Sequence, residues 1–136
     1  MATVGGLGSR REARERALSL LYEADAKACA PEAVLDDLPV PPDPFAGDLV
    51  AGVGAHLGDI DERIRRFARG WTLERMPVVD RTVLRMATYE LLHRPDVPTA
   101  AVISEAVELV KRYSTDDSGR FVNGMLSSIA EEVRPS

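Results

Sequence analysis

Residues 79–133 read VDRTVLRMATYELLHRPDVPTAAVISEAVELVKRYSTDDSGRFVNGMLSSIAEEV, and the spacing of apolar residues in this stretch decides the fold class. Val79, Val83, Leu84, Met86, Ala87, Leu91 and Leu92 recur at three- and four-residue intervals, the signature of one buried helix face, until His93-Arg94-Pro95 ends the pattern. A second helix, with Thr99 placed to cap it, presents Val102, Ile103, Ala106, Val107, Leu109 and Val110. A third, starting near Asp116 or Asp117, presents Phe121, Val122, Met125, Leu126 and Ile129. The Asn123-Gly124 pair inside that run is a hairpin signal. The flanking spacing is helical and there is no strand to pair with, so the pair is read as helix. Glycine in a helix costs about 1 kcal/mol relative to alanine, which suggests close approach of a neighbouring helix or a ligand at Gly124.

The same periodicity runs outward towards the N-terminus. Ser9-Arg10-Arg11-Glu12 matches a capping box, followed by Ala13, Ala17, Leu20, Leu21 and Ala24 on a helix to about Ala28. Residues 1–8, small and Gly-rich, are expected to be disordered. A short helical piece over 31–37 precedes Leu38-Pro-Val-Pro-Pro-Asp-Pro44, whose four prolines exclude helix. Helices are expected over 45–57 and 59–70, with Gly70 as a stop, then a short turn over 71–76 and Pro77 in the first turn of the next helix. No segment alternates with period two. The expectation is an all-α chain of about seven helices.

At 136 residues the chain is long enough to bury a core as one domain, residues 9–136. Its single cysteine, Cys29, can form no internal disulfide, and the N-terminus lacks the apolar core of a signal peptide. No apolar run is long enough to span a membrane, and a cytoplasmic location is expected. The net charge of −5 argues against a protein that coats nucleic acid indiscriminately. Residues 1–16, however, carry four arginines against two glutamates, a local balance of +2 on a chain whose remainder holds −7. A local basic face of this kind can bind RNA on an acidic protein.

Arg10, Arg11 and Arg14 share a helix face by their spacing, and cations in a first turn are mildly unfavourable for the helix itself. The alternative is that Arg11–Glu15 and Glu12–Arg16 are surface ion pairs. Phe121 reads as a core anchor or a base-stacking surface, and Asp116-Asp117 as a cap for its own helix. His56 and His93 stand apart in sequence, and Cys29 has no histidine near it. No phosphate loop, metal cluster or acid/base pair is apparent, so no cofactor, no metal and no enzymatic activity are expected.

Three segments in order, RREARERALSLLYEAD (residues 10–25), WTLERMPVVDRTVLRMATYELL (71–92) and DVPTAAVISEAVELVKRYSTDDSGRFVNGML (96–126), resemble the NusB family, over about residues 9–133. The resemblance implies two three-helix sub-bundles packed together, about 9–70 and 71–133. It implies an antitermination factor that binds the boxA element of nascent ribosomal-operon RNA jointly with NusE, a small-subunit ribosomal protein, within an RNA polymerase complex. By position it assigns RNA contacts to Arg10, Arg11, Arg14, Tyr22, Asp117, Arg120 and Phe121. Glu74, Asp80 and Glu90 are the acidic candidates for the protein partner. Ser104 departs from an asparagine usual in the family, and Glu12 and Glu15 dilute the basic cluster. Other readings of the same pattern are a detached methyltransferase module, or a protein-interaction scaffold or homodimer with weak or lost RNA binding.

Overall fold

In a computed structural model, which describes residues 7–70 and 72–135, with side chains from residue 10, the chain is all-helical. Seven α-helices are present among the described residues: α1 (Leu7–Lys27), α2 (Pro31–Asp36), α3 (Pro44–Ala55), α4 (Leu57–Phe67), α5 (Val78–His93), α6 (Thr99–Tyr113) and α7 (Asp116–Val133). A single 3-10 turn, Leu73–Arg75, precedes α5. The helix at the start begins at Leu7, so Ser9 lies inside α1 and is not its cap. The tail expected over 1–8 falls outside the described residues except for Leu7 and Gly8, which are helical, and Trp71 lies outside them too.

Two compact units divide the chain between Ala55 and His56. The boundary expected near Trp71 is therefore too late by one helix. Physically, α4 packs on α5 and α7. The Asp61 carboxylate accepts two bonds from the Arg85 guanidinium, at 2.8 and 2.9 Å, and Glu132 on α7 accepts from both Arg63 and Arg66. A bidentate, largely buried pair fixes orientation as well as distance.

The first unit is built on α1, α2 and α3. Ala and Leu, strong helix formers, carry α1 for 21 residues. Ala17, Leu20, Ala46, Leu49, Val50 and Val53 are buried in this half. The helix α1 stops because Ala28 takes a left-handed conformation (φ 53°), which lets the Cys29 amide donate to the Ala24 carbonyl at 3.0 Å. Near the start of α3, Asp43 Oδ1 accepts from the amides of Phe45 (2.8 Å) and Ala46 (3.4 Å), with Pro44 next to it as the first helical residue. An aspartate cap followed by proline is the chain's way out of the proline-rich segment.

The second unit holds α4 to α7. Ile60, Ile64, Leu84, Val122, Leu126 and Ile129 are fully buried, each worth about 1.5–3 kcal/mol of transfer free energy. The connection after α4 turns at Gly70, whose φ of +75° suits glycine. Pro77 stands at the cap position of α5, one residue before the helix. Thr99 is the first residue of α6 and gives it no side-chain cap; its hydroxyl accepts instead from Arg134 at 3.0 Å. Arg134 also donates to the carbonyls of Glu90, Leu91, Arg94 and Val97, at 2.7–3.0 Å, so one guanidinium satisfies the open end of α5.

Candidate nucleic-acid interface

The arginines near the start of α1 are not equivalent. Arg10 and Arg14, one turn apart, both set their guanidinium carbons over the Phe45 ring, 4.5 and 5.1 Å from its centroid. Such contacts stabilise by about 0.5–2 kcal/mol depending on desolvation. Phe45 is held there by the Asp43-Pro44 start of α3. Arg14 is 4 % exposed and Arg10 is half-buried, whereas Arg11 is exposed. As placed, Arg14 supports the cluster from within, and Arg11, like Arg16, is turned to solvent. Tyr22, 49 % exposed, lies eleven residues beyond Arg11, a separation of about three turns and about 16 Å along the same face. Phe45 was not legible as part of this cluster in the sequence, because it lies on another helix.

The second group belongs to the other unit and starts α7. Thr115 caps this helix, its hydroxyl accepting from the Ser118 amide at 3.0 Å, so the expected capping role of Asp116-Asp117 passes to the residue before them. Both aspartates sit in the first turn, where the helix dipole favours negative charge. Asp117 pairs with Arg120 on the exposed surface. Phe121 is half-buried beside them. Asn123 and Gly124 are helical and exposed, and a Cβ on Gly124 would meet nothing within 4 Å, so no helix approaches there. The close approach is at Gly119, where a Cβ would come within 2.9 Å of the Lys111 side chain.

The acidic candidates divide sharply. Glu74 is exposed, within 4.0 Å of Arg65. Asp80 and Glu90 are 3 % and 2 % exposed, which removes them from any surface a protein partner could cover. A helix carboxylate in the first turn or on a mixed face looks solvated in sequence; here tertiary packing has enclosed both. Asp80 accepts from the Ser118 hydroxyl at 2.7 Å, tying α5 to α7.

His56 and His93, separate in sequence, are stacked at 4.1 Å between ring centroids, with Tyr89 5.2 Å from His93. Among the described residues no group of three or more His, Cys, Asp or Glu side chains is arranged to hold a metal, and no helix is long and apolar enough to cross a membrane.

The described residues thus form an all-helical chain with arginines near the start of its first helix and, at the start of its last, a Thr115 cap followed by two aspartates and an aromatic residue. Residues 11–131 match the model of the NusB family. A transcription antitermination protein NusB of Kineococcus radiotolerans is 46 % identical over 129 residues, covering 92 % of this chain and 95 % of that protein. The structure of T. maritima NusB superimposes with a TM-score of 0.83 at 38 % identity, covering 93 % of each chain. A chain from a crystal structure of antitermination factors NusB and NusE in complex with dsRNA gives 0.78 at 28 % identity, covering 93 % of this chain and 99 % of that one. The chain belongs to the NusB family of transcription antitermination proteins.

Proposed function

We propose that this protein binds the boxA segment of nascent ribosomal-operon RNA together with the ribosomal protein NusE, and so helps load the complex that keeps RNA polymerase elongating. The observation that carries the reading is the α1 cluster: a phenylalanine-anchored pair, Arg10 and Arg14, with Arg11 exposed beside it, in a chain of this family. Single-stranded RNA is held by phosphate neutralisation together with stacking on aromatic side chains. Arg11 supplies the first and Tyr22, exposed on the same helix, the second. Arg10 and Arg14 act chiefly by fixing the helix start against Phe45. On the other unit Asp117, Arg120 and Phe121 form a separate contact, in which Arg120 exchanges Asp117 for a phosphate. Glu74 is the acidic residue left to meet a basic protein partner.

Binding of a labelled boxA RNA, measured with and without purified NusE, tests the proposal. NusE is expected to tighten RNA binding by at least about tenfold, and Arg11→Ala to reverse much of that gain. Intact NusE binding with no added affinity for boxA would overturn it.

A further inference from the structure

Residues 63–85 carry seven arginines against two carboxylates, Glu74 and Asp80, a local balance of +5 on a chain of −5. Four of the seven are engaged. Arg63 and Arg66 pair with Glu132, Arg85 pairs with Asp61, and Arg81 donates to the Leu73 carbonyl at 2.9 Å. The other three, Arg65, Arg69 and Arg75, are exposed at the end of α4 and on the 3-10 turn that follows. Among the described residues no ion pair or hydrogen bond engages the side chains of Arg69 and Arg75. Arg65 lies 4.0 Å from Glu74 with both side chains largely exposed, a contact too loose to neutralise it. Asp80 is buried and offsets none of this at the surface. The backbone beneath is fixed. Leu73 and Met76 are buried on either side of Glu74 and Arg75, and the amides of Arg75 and Met76 donate to the carbonyls of Thr72 and Leu73 at 3.0 and 3.2 Å. A turn already ordered loses little freedom when an anion arrives.

We infer that Arg65, Arg69 and Arg75 form a further RNA surface, which holds the phosphates of the RNA flanking boxA and reads no bases. The inference rests on the RNA-binding reading above and extends the path of the strand beyond the boxA segment. Met76, next to Arg75, lines one cavity together with Asp117 and Phe121 of α7. A strand that reaches Phe121 has only to cross Met76 and Pro77 to come over Arg75, and then Arg69 and Arg65. Guanidinium forks bind phosphate oxygens bidentately, and such contacts fix the course of a strand without carrying sequence information. An acidic protein segment would meet the same charges, but RNA is the polyanion already assigned to this unit, so continuity favours it.

The test compares a minimal boxA RNA with the same RNA extended by uridines at one end or the other, with the whole chain and NusE present. Extension at one end is expected to tighten binding about tenfold at low salt. It should also steepen the log–log salt dependence by about 2, three single-strand phosphate contacts at about 0.7 each. Adenosine flanks should serve as well as uridine flanks. The combined variant Arg65→Gln, Arg69→Gln, Arg75→Gln is expected to lose both gains and to bind the minimal RNA as before, and lysine at the three positions to keep most of them. Equal affinity and slope for minimal and extended RNAs in the unaltered chain overturn the flanking surface and leave the RNA-binding reading standing. A gain from extension that survives the glutamine variant places the flank elsewhere and overturns it too. Failure to bind any of these RNAs overturns both. A tenfold loss of NusE affinity in the glutamine variant without RNA would assign the face to carboxylates of the protein partner, and also overturns the inference. The comparison of RNAs in the unaltered chain is decisive even where the variant fails to fold.

Discussion

Arg134, which ties together much of the second unit's polar framework, is a residue that no sequence pattern singles out. It follows the last helix and looks like one more terminal cation. Its guanidinium nevertheless reaches four carbonyls around the end of α5 and the connection to α6, together with the Thr99 hydroxyl. Removing it strands the Leu91 and Val97 carbonyls and leaves those of Glu90 and Arg94 with backbone donors alone, and Arg134→Ala is expected to destabilise the protein by about 3 kcal/mol, read as a lowered urea midpoint. Arg134→Lys should recover only a minor part, since an ammonium lacks the planar fork that spans several carbonyls. A loss below about 0.5 kcal/mol would show that these bonds merely replace hydration. Asp80 and Glu90 teach the complementary lesson. As letters they are charged and suggest a surface, yet their positions on α5 are enclosed by packing that only the tertiary structure reveals.

Among the elements, helix existence was legible almost everywhere and helix ends were not. The apolar spacing of α5, α6 and α7 needs no partner to be read, because periodicity is local. Caps depend on backbone conformation one residue either way. Thr115, not the aspartates after it, receives the Ser118 amide, and Thr99 has slipped inside its helix. The end of α1 makes the same point with a measurable consequence. Ala28 occupies a left-handed conformation that glycine adopts without strain. Ala28→Gly is expected to stabilise the protein by about 0.5–1 kcal/mol, a raised midpoint in thermal or urea unfolding, despite the greater freedom it gives the unfolded chain. A destabilised variant would mean that Ala28 contributes packing that outweighs its strain. The stacked His56 and His93 illustrate the opposite limit: 37 residues apart, they carry no mutual signal in sequence.

Over the whole chain the charge is uneven: the first sixteen residues carry +2 and the remainder −7, within a total of −5. The arginine segment could be read from residues 10–25, and the family from that segment together with residues 71–92 and 96–126, because their order and spacing are properties of the sequence itself. What could not be read was the division of labour among the arginines. Arg14 is buried and Arg10 half-buried over Phe45, a ring supplied by α3, while Arg11 faces outward. Charge alone makes the three equal; burial leaves Arg11 exposed and sets the other two against Phe45, the division on which the proposed phosphate contact rests. Of the three acidic residues expected to meet a protein partner, only Glu74 is exposed.

The most direct test of this account is the salt dependence of boxA RNA binding by the chain with NusE, for the unaltered protein and for Arg11→Ala. The account predicts a falling log–log line whose slope shrinks by about 0.7 on removal of Arg11, the contribution of one single-strand phosphate contact. An unchanged slope and affinity in Arg11→Ala would contradict it.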